Sequence, residues 1–550
     1  MKVKLQLFFS GLLISISGYS QWNADPTVNT PVCIQPHTQQ NAYIVTDSKK
    51  GAIMVWDDYR NDSIRSDIYA QRMNAAGYPM WTVNGVAICT DTARQGSVVI
   101  VDAGNGSAII AWEDLRNGTK DIYAQKIDSS GNVLWTTNGV SICTKPFDQK
   151  RPAIASDGKG GAIIVWEDSS ATNSWDVYAN RINASGTLVW GAGIAVSVQP
   201  YKQYNIKVRP DGISGGLICW QDLRYGLEYK IYAQRLDSTG DNYWTTDGVQ
   251  VCQNGGGQTN PKLREDGLGG AYIGWQDLRN GNYDIYAQRL DGNGNLLWNI
   301  NAVPVCNYLG SQSAIDMASD GINGAIISWK DDRNGPLEVF ANRMNPAGVA
   351  QWGANGLQIA TGINPNIVGD NAGGAILTWQ DSLTSGGTWD VYAQRLDSAG
   401  TKLWLTTGAP VSIAIGGQSY PKHVSTGDGG AIFCWQDKRN HVDLDIFAHH
   451  LYPNGSAIGI DELNGKTNAL VCYPNPFSNQ TTIQLNTSEH ITSWILNVYD
   501  INGKLVRTET VSNSNQITIN RNELGDGMYF YQGVSKSGII GSGKLIITNR

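Results

Sequence analysis

Aspartate and arginine side chains recur at a fixed spacing along this chain. An aspartate stands two residues after each of eight tryptophans: Asp58, Asp114, Asp168, Asp222, Asp277, Asp331, Asp381 and Asp437. Six of the eight copies have an arginine two residues further on: Arg60, Arg116, Arg224, Arg279, Arg333 and Arg439. An enzyme needs its catalytic groups once, whereas this pattern occurs in every copy. We therefore predict that these residues cap turns or bridge neighbouring repeats.

The third and seventh copies lack the arginine, and each introduces a tryptophan in the same loop. The loops read EDSSATNSWD and QDSLTSGGTWD, and the tryptophans are Trp175 and Trp389. Five tyrosines are predicted to lie near the same face: Tyr201, Tyr204, Tyr225, Tyr229 and Tyr420. Exposed aromatic rings on a polar face can hold sugar rings or peptide side chains. We predict a ligand site here; alternatively, the tryptophans pack where arginine stems pack in other copies.

A side-chain amide precedes the first strand-like run of every copy. These residues are Gln40, Gln95, Gln149, Gln203, Gln258, Gln312, Asn364 and Gln418. We expect them to ring the mouth of a central channel, with Gln203, Gln258 and Gln418 among the ligand contacts. In the alternative interpretation, each amide satisfies the backbone of a neighbouring repeat.

The sequence assigns no catalytic residue, metal or cofactor. Histidines cluster at His423, His441, His449 and His450, with His37 near the N-terminus, which raises the possibility of a metal site. His449 and His450 are neighbours in a strand and so point to opposite faces, which argues against such a site. The motifs G-x-S-x-G and H-E-x-x-H, a phosphate-binding loop and the sialidase Asp-box S-x-D-x-G-x-T-W are absent. Carboxylates are plentiful, so a glycosidase pair remains an open alternative.

The repeat predicts the fold. Eight marker tryptophans stand 50 to 56 residues apart: Trp56, Trp112, Trp166, Trp220, Trp275, Trp329, Trp379 and Trp435. Each copy contains four strand-like runs, joined by glycine-rich turns such as DGKGG and DSSGN. This organisation predicts an all-β, eight-bladed β-propeller over residues 21–458. Residues 22–33, WNADPTVNTPVC, resemble the fourth run WNINAVPVC, so an N-terminal strand should close the last blade.

Charge and cysteine usage narrow the function classes. The net charge of −7 and the lack of a basic run argue against a nucleic-acid partner. Seven of the eight cysteines occupy two repeated positions, which should lie too far apart in successive repeats for disulfides. We predict that these seven are buried free thiols, and that Cys472 stands alone in another domain.

The N-terminus predicts export. Residues 1–20, MKVKLQLFFSGLLISISGYS, combine two lysines, an apolar core and small residues, which is typical of a secretory signal cleaved before Gln21. No other stretch is long and apolar enough to span a bilayer, so we expect no transmembrane segment in the mature chain. The predicted location is secreted or attached to the outer-membrane surface.

The C-terminal segment changes character after a linker predicted at 459–468. It carries VCYPNPFSNQTTIQL, then NVYDINGKLV, then LGDGMYFYQG. The marks are Tyr473, Pro474, Asn475, Pro476, Asp500, Gly503, Lys504, Gly527, Tyr529, Gly541 and Lys544. In this order they resemble the type A C-terminal sorting domain of the Bacteroidetes type IX secretion system. The resemblance implies that residues 469–550 form a small β-sandwich that the secretion machinery recognises.

Together these observations predict a non-catalytic β-propeller that binds an extracellular glycan or protein. The alternatives are a glycan-active hydrolase or lyase that uses the same face, and a structural adhesin repeat with no discrete ligand. A pair of carboxylates that breaks the repeat at the channel mouth would favour the enzyme.

Overall fold

The computed structural model describes residues 22–169, 174–382, 388–457, 470–485, 493–500, 505–521, 524–535 and 538–548. The chain divides into two compact units, residues 1–458 and 459–550. The predicted signal segment, 1–20, and the predicted linker, 459–468, lie outside the described residues. Among the residues that are described, no helix is long and apolar enough to cross a membrane.

The first unit consists of eight four-stranded antiparallel sheets, which we call blades one to eight. The chain begins with β1 (Thr30–Cys33), which belongs to the last blade. Blade one contains β2 (Gln39–Thr46), β3 (Ala52–Asp58), β4 (Asp67–Met73) and β5 (Val86–Cys89). Blade two contains β6 (Gln95–Gly104), β7 (Ser107–Asp114), β8 (Asp121–Ile127) and β9 (Val140–Cys143). Blade three contains β10 (Gln149–Ser156), β11 (Ala162–Ser169), β12 (Trp175–Ile182) and β13 (Ile194–Ser197).

The remaining blades repeat this order. Blade four contains β14 (Gln203–Pro210), β15 (Gly216–Asp222), β16 (Lys230–Leu236) and β17 (Val249–Gln250). Blade five contains β18 (Gln258–Glu265), β19 (Ala271–Asp277), β20 (Asp284–Leu290) and β21 (Val303–Cys306). Blade six contains β22 (Gln312–Ser319), β23 (Ala325–Asp331), β24 (Glu338–Met344) and β25 (Leu357–Thr361). Blade seven contains β26 (Ile363–Gly369), β27 (Ala375–Asp381), β28 (Asp390–Leu396) and β29 (Ala409–Ser412). Blade eight contains β30 (Gln418–Ser425), β31 (Ala431–Asp437) and β32 (Asp445–Leu451).

The N-terminal strand completes blade eight. Strand β1 pairs antiparallel with β32, with Thr30 opposite Ala448. The first strand of each blade contacts the first strand of the next, and β2 contacts both β6 and β30. The blades therefore follow one another in a closed ring around the first strands. The β-propeller and its closure by the N-terminal strand, both predicted from the repeat, are confirmed.

Blade-to-blade packing explains the burial pattern. Each second strand is apolar along most of its length, as in β7, because neighbouring blades cover both of its faces. The eight marker tryptophans at its end are at most 1% exposed. Seven cysteines are buried and free, as predicted, and Cys472 is a half-buried free thiol.

Each first strand begins on one face of the ring, which we call the upper face. The second strand ends on this face, as the pairing of Gln203 with Asp222 shows. Near its start, each first strand has a bulge at which the backbone adopts positive φ, for example at Asn205 and Asn260. Asparagine tolerates this left-handed conformation better than most residues.

The second unit is a small β-structure with two sheets. One contains β33 (Leu470–Tyr473), β34 (Gln480–Leu485) and β37 (Gln516–Asn520). The other contains β35 (Ser493–Tyr499), β36 (Leu505–Ser512), β38 (Gly527–Ser535) and β39 (Gly538–Ile547). Residues from both sheets, including Ile483 and Trp494, form one buried core, as expected for a β-sandwich.

Candidate ligand-binding site

The repeated Asp–Arg pairs are built into the scaffold. In blade two, Trp112 Nε1 donates to Asp114 Oδ2 at 2.9 Å. Arg116 grips both oxygens of the same carboxylate, through Nε at 2.9 Å and Nη2 at 2.6 Å. Its guanidinium carbon lies 3.9 Å from the centre of the Tyr123 ring. This bidentate, stacked arrangement leaves the carboxylate no free edge for a ligand, in agreement with the predicted structural role.

Blade three shows what replaces the arginine where it is missing. There Lys145 Nζ lies 4.0 Å from the centre of the Tyr178 ring, the counterpart of Tyr123. Trp175 instead opens strand β12 and pairs with Ser169, while Lys150 Nζ lies 4.5 Å from its ring. In blade three, therefore, a lysine occupies the place above the ring, and the tryptophan is half-buried elsewhere.

Trp175 and Trp389 occupy a regular position of the repeat rather than an insertion. The residue directly before the first residue of a typical third strand is its counterpart in other blades: Ser66, Lys120, Tyr229, Tyr283, Leu337 and Leu444. The backbone carbonyl at this position accepts the N–H of the next blade's first strand, as Trp389 does from Gln418 at 2.7 Å. The backbone at this position thus joins blades, and only the side chain varies freely.

The amides that start the first strands are buried. Gln203 and Gln418 are fully buried, and Nε2 of each donates to carbonyl groups of the loop just before it, at 3.0 Å to Gln199 and Ala414 respectively. Gln258 is also fully buried, and its Oε1 accepts the Ile231 N–H at 3.1 Å. Gln203 and Gln418 thus hold the loop that leads into their strands, Gln258 binds the neighbouring blade, and none of the three is exposed at the channel mouth.

Two of the eight predicted positions are out of register. In blade one, Gln39 rather than Gln40 pairs with Asp58, so Gln39 is the repeat residue. In blade seven, Asn364 lies at the positive-φ bulge, two residues beyond the repeat position. A run of two glutamines and a glycine at 362 concealed the register from the sequence pattern.

Blade four gathers the predicted tyrosines. Tyr204 and Tyr229 meet edge to face, with ring centres 4.9 Å apart. Tyr201 is 57% exposed and lies against Gly226, next to Tyr225, which is 70% exposed. An isolated bridge between Trp175 and Lys202 brings the blade-three tryptophan to the same seam. Five of the seven predicted aromatic residues therefore belong to one region of the upper face.

The other two aromatic residues form a separate pair at the seam of blades seven and eight. Trp389 and Tyr420 are joined through Gln418, whose N–H binds the Trp389 carbonyl two residues before Tyr420. Tyr420 is 65% exposed and has positive φ. The structure thus divides the predicted aromatic site into two clusters on different blades.

A cavity of about 420 Å³ lies among blades four to six. It is lined by Asn205, Lys207, Asn260, Pro261, Lys262, Gln276, Ser313, Ala314, Ile315 and Lys330, from blades four to six. A hydrogen-bond chain connects it to the aromatic cluster: Asn205 Nδ2 donates to Gln221 Oε1 at 2.6 Å, and Gln221 Nε2 donates to Tyr204 Oη at 3.0 Å.

The cavity coincides with two departures from the repeat in blade six. Blades four, five and seven have asparagine at the bulge, but blade six has Ala314. The residue after the marker tryptophan is glutamine in blades four, five, seven and eight, but blade six has Lys330. In blade four, this glutamine (Gln221) accepts the Asn260 N–H at 3.0 Å. A lysine cannot accept that bond, so Lys330 cannot form the equivalent bridge from blade six to blade seven.

Positive charge concentrates on the inner strands around the cavity. Burial, reinforced by Lys262, lowers the pKa of Lys207 to about 8. Lys262 Nζ lies 3.3 Å from Asp316 Oδ1. Burial opposes ionisation of Asp316, but Lys262, Arg264 and Lys422 outweigh it and hold its pKa at about 2. Asp316 is therefore a fixed negative charge among several cations.

Blades one to three carry carboxylates at the position that Lys330 occupies in blade six: Asp57, Glu113 and Glu167. Glu113 binds Lys120 Nζ at 2.5 Å and accepts the Arg151 N–H at 2.8 Å, and Glu167 similarly accepts the Asn205 N–H. Burial raises the pKa of Asp57 to about 7. Glu113 and Glu167 thus bridge neighbouring blades, whereas Asp57 has a pKa close to neutral pH.

The blade-eight histidines are part of the packing. His423 lies 5.3 Å from the Phe433 ring and its Nε2 is 2.9 Å from the Ile376 carbonyl oxygen. His449 and His450 are buried as well. In the described part of the chain, no group of three or more His, Cys, Asp or Glu residues could hold a metal ion.

Several residues of the sorting motif make hydrogen bonds within the second unit. Asn475 Nδ2 donates to the Lys544 carbonyl at 2.6 Å, and its Oδ1 accepts the Ile546 N–H at 2.7 Å. Tyr473 Oη donates to Gln484 at 2.8 Å, and Tyr529 Oη donates to the Gly525 carbonyl at 3.2 Å. Pro474, Pro476, Asp500, Gly527 and Gly541 are also described, whereas Gly503 and Lys504 lie outside the described residues.

Sequence reasoning missed Lys207, Lys262, Ala314 and Lys330. The signal was present, because the first strands read NIKVRP, PKLRE and AIDMAS in blades four to six against apolar runs such as SVVIV in blade two. An alignment of the eight first strands, position by position, would have drawn attention to Lys207, Lys262 and Ala314, and an alignment of the second strands to Lys330.

Comparisons with known proteins agree with the division into two units. Residues 471–548 match the family of the secretion system C-terminal sorting domain. The chain is therefore a cargo of the type IX secretion system, secreted or attached to the cell surface. No curated protein sequence matches the chain.

Several solved structures are similar at low identity. A protein of unknown function from Dyadobacter fermentans is 12% identical over 56% of this chain and 95% of that chain, with a TM-score of 0.35. An α-L-arabinanase from Penicillium chrysogenum, complexed with arabinobiose, is 11% identical over 56% and 94%, with a TM-score of 0.32. An endo-arabinase from Bacteroides thetaiotaomicron is 16% identical over 43% and 88%, with a TM-score of 0.26. At these values the similarity carries no functional argument.

Proposed function

We propose that the propeller is a binding module for an extracellular glycan, which it holds on the upper face of blades four to six. The observation that carries this proposal is the cavity of about 420 Å³ at the place where blade six departs from the repeat. Its volume lies within the range of about 300–1,000 Å³ that is usual for ligand pockets. Hydrogen bonds through Asn205 and Gln221 link it to Tyr204, one of five aromatic residues of the neighbouring blades three and four that would suit sugar rings.

The lining and the rim supply complementary contacts. Asn205, Asn260 and Gln276 place amide donors and acceptors at the cavity, which suit sugar hydroxyl groups. Tyr201 and Tyr225 present exposed rings, and the Tyr204–Tyr229 pair presents a packed edge. Trp175 extends the rim toward blade three. Trp389 and Tyr420 would contact a longer chain at a second point, across blades seven and eight.

The test is a glycan array probed with the full chain and with Tyr225→Ala and Trp389→Ala. Tyr225→Ala should weaken binding about tenfold, since stacking of an exposed ring is worth ~1–1.5 kcal/mol. Tyr243→Ala is the matched control, because Tyr243 is 55% exposed in the same blade, before the start of its fourth strand on the opposite face. A Tyr225→Ala variant that binds like the native chain, or a chain that binds only proteins, would refute the proposal.

A hydrolase that uses the same fold is the second candidate, and one observation favours it. Asp57 combines a pKa of about 7 with an ionisable neighbour, Glu113, in the next blade, as in an acid–base pair of carboxylates. The geometry weighs against it, because Asp57 and Glu113 are only 3% and 6% exposed. Release of reducing ends from a bound glycan, abolished by Asp57→Asn with binding retained, would establish the enzyme.

A further inference from the structure

We propose that the cavity between blades four and six takes the negatively charged group of an acidic glycan, a carboxylate or a sulfate, through Lys207, Lys262 and Lys330. This inference rests on the proposed function and specifies its ligand. All three lysines line the cavity, and no Asp or Glu residue is among its lining residues.

The lining is not neutralised within the described part of the chain. Lys262 is the one lining lysine with a salt bridge there, at 3.3 Å to Asp316. Lys207 Nζ donates to neutral oxygens, to Asn205 Oδ1 at 2.6 Å and to the Ile206 carbonyl at 3.2 Å. The Asp316 carboxylate is itself occupied by Asn366 Nδ2 at 2.8 Å and by the Ile367 N–H at 3.1 Å. Three lysines against one bound aspartate leave an excess of positive charge.

A second layer of cations lies deeper on the same strands. Arg209 and Arg264 follow Lys207 and Lys262 by two residues on β14 and β18 and so point to the same side. Each donates through Nη1 to a neighbouring backbone carbonyl, of Val208 at 2.9 Å and Leu263 at 2.7 Å. Burial and the neighbouring Arg209 lower the pKa of Arg264 to about 10. These guanidinium groups add to the potential without contacting the lining.

Most of this charge lies on one part of the ring, with one further lysine, Lys422 of blade eight, at the position of Lys207 and Lys262. The counterparts in blades one to three are Tyr43, Val99 and Ala153, on a scaffold that is otherwise repeated. The chain as a whole has a net charge of −7. Close, partly buried cations without counter-ions cost folding energy, so their concentration at one cavity is explained by an anion that supplies the missing charge.

The blade-six substitutions give a variant that the fold should accept. Lys330→Gln restores the residue found in blades four, five, seven and eight, and Ala314→Asn restores the asparagine suited to the positive φ of 51° at that bulge. The double variant Ala314→Asn/Lys330→Gln should rebuild the blade bridge, fill part of the cavity and remove one charge. Lys159→Gln is the matched control, because Lys159 is exposed in the turn between the first and second strands, on the opposite face.

The experiment measures binding of the full chain to three sets of oligosaccharides: polyuronates, sulfated galactans and neutral galactans. We expect one acidic set to bind at least tenfold more tightly than the neutral set. Its affinity should fall about tenfold in Lys330→Gln and further in the double variant, and should decrease with salt. Preference for polyuronate identifies a carboxylate, and preference for the sulfated set identifies a sulfate.

The outcomes distinguish failure of the anion site from failure of the proposed glycan binding. Equal affinity for acidic and neutral glycans, lost in Tyr225→Ala but not in Lys330→Gln, would overturn the anion site and leave the glycan module standing. Affinity for acidic glycans that Lys330→Gln and the double variant leave unchanged would also overturn it. Capture of acidic peptides in place of every glycan, or of nothing on the array, would overturn both.

Discussion

Replacing Lys207 by methionine should stabilise the propeller at neutral pH while weakening its ligand binding. The side chain lies on an inner strand, and burial together with Lys262 lowers its pKa from 10.5 to about 8. A drop of that size corresponds to about 3 kcal/mol of cost to the charged form at pH 7, at ~1.4 kcal/mol per unit. Methionine keeps an unbranched chain of similar length and removes the charge.

The net gain in unfolding free energy should be smaller than this cost of about 3 kcal/mol. The ammonium group donates to Asn205 Oδ1 at 2.6 Å and to the Ile206 carbonyl, and those bonds are lost. Lys207 and Lys262 are also partly exposed, so solvent reduces their repulsion. We therefore expect the free energy of unfolding to rise by ~1–2 kcal/mol at pH 7.

The pH dependence provides the stronger test. Because the folded pKa lies below the unfolded one, the native chain binds fewer protons than the unfolded chain between about pH 8 and 10.5. Native stability should therefore rise with pH across that window, relative to Lys207→Met, and the advantage of the variant should shrink. Urea unfolding followed by tryptophan fluorescence measures the stability of the propeller, since all of the 19 tryptophans except Trp494 precede residue 459. A variant that is less stable at pH 7, or whose effect is the same at pH 7 and pH 10, refutes the reasoning.

Three further predictions concern the scaffold. Gly139→Ala should cost several kcal/mol more in unfolding free energy than Gly118→Ala. Both glycines have φ of +90°, but only at 139 would the new Cβ clash with Trp112, at 2.5 Å. Equal losses of unfolding free energy would refute the clash. Arg279→Lys should lower the unfolding free energy by ~1–3 kcal/mol, because a lysine cannot grip both oxygens of Asp277, and unchanged urea midpoints would contradict this. Burial lowers the pKa of His423 to about 4, so the unfolded chain takes up a proton before the folded chain and stability is lost as pH falls from 6.5 toward 4. His423→Leu should remove ~1.4 kcal/mol per pH unit of that loss in acid titrations of the unfolding free energy. Parallel curves for the variant and the native chain would refute this.

The sequence was most informative where the fold repeats. Eight copies of one phrase average out local ambiguity, so the strand order, the closing strand and the free thiols could all be predicted. The same repetition showed that Asp114 and Arg116 are structural, and their hydrogen bonds agree. The sequence pattern failed at single positions. Gln40 and Asn364 were assigned to the wrong register, because a run of two glutamines in blade one and a glycine at 362 in blade seven concealed the repeat position.

The candidate site could be predicted only in part. Exposed aromatic residues are conspicuous in a sequence, and five of them do meet at blades three and four. The amides were misjudged, because a glutamine that binds its own loop and one that faces a channel have the same sequence signature. Ala314 and Lys330 line the cavity where blade six departs from the repeat. The bridge that Lys330 cannot form is recognised only once the hydrogen bonds of the other blades are known.

Closure by the first strand sets a condition on when the ring can form. Arg439 donates to the Val28 carbonyl across 411 positions of the chain, and β1 finds its partner only in β32. Contacts so distant in sequence are slow to form, since a long loop must be ordered first. The last blade can therefore be sealed only after the whole repeat array has been made. A chain that stops early keeps both edges open, so this joint distinguishes complete molecules from truncated ones.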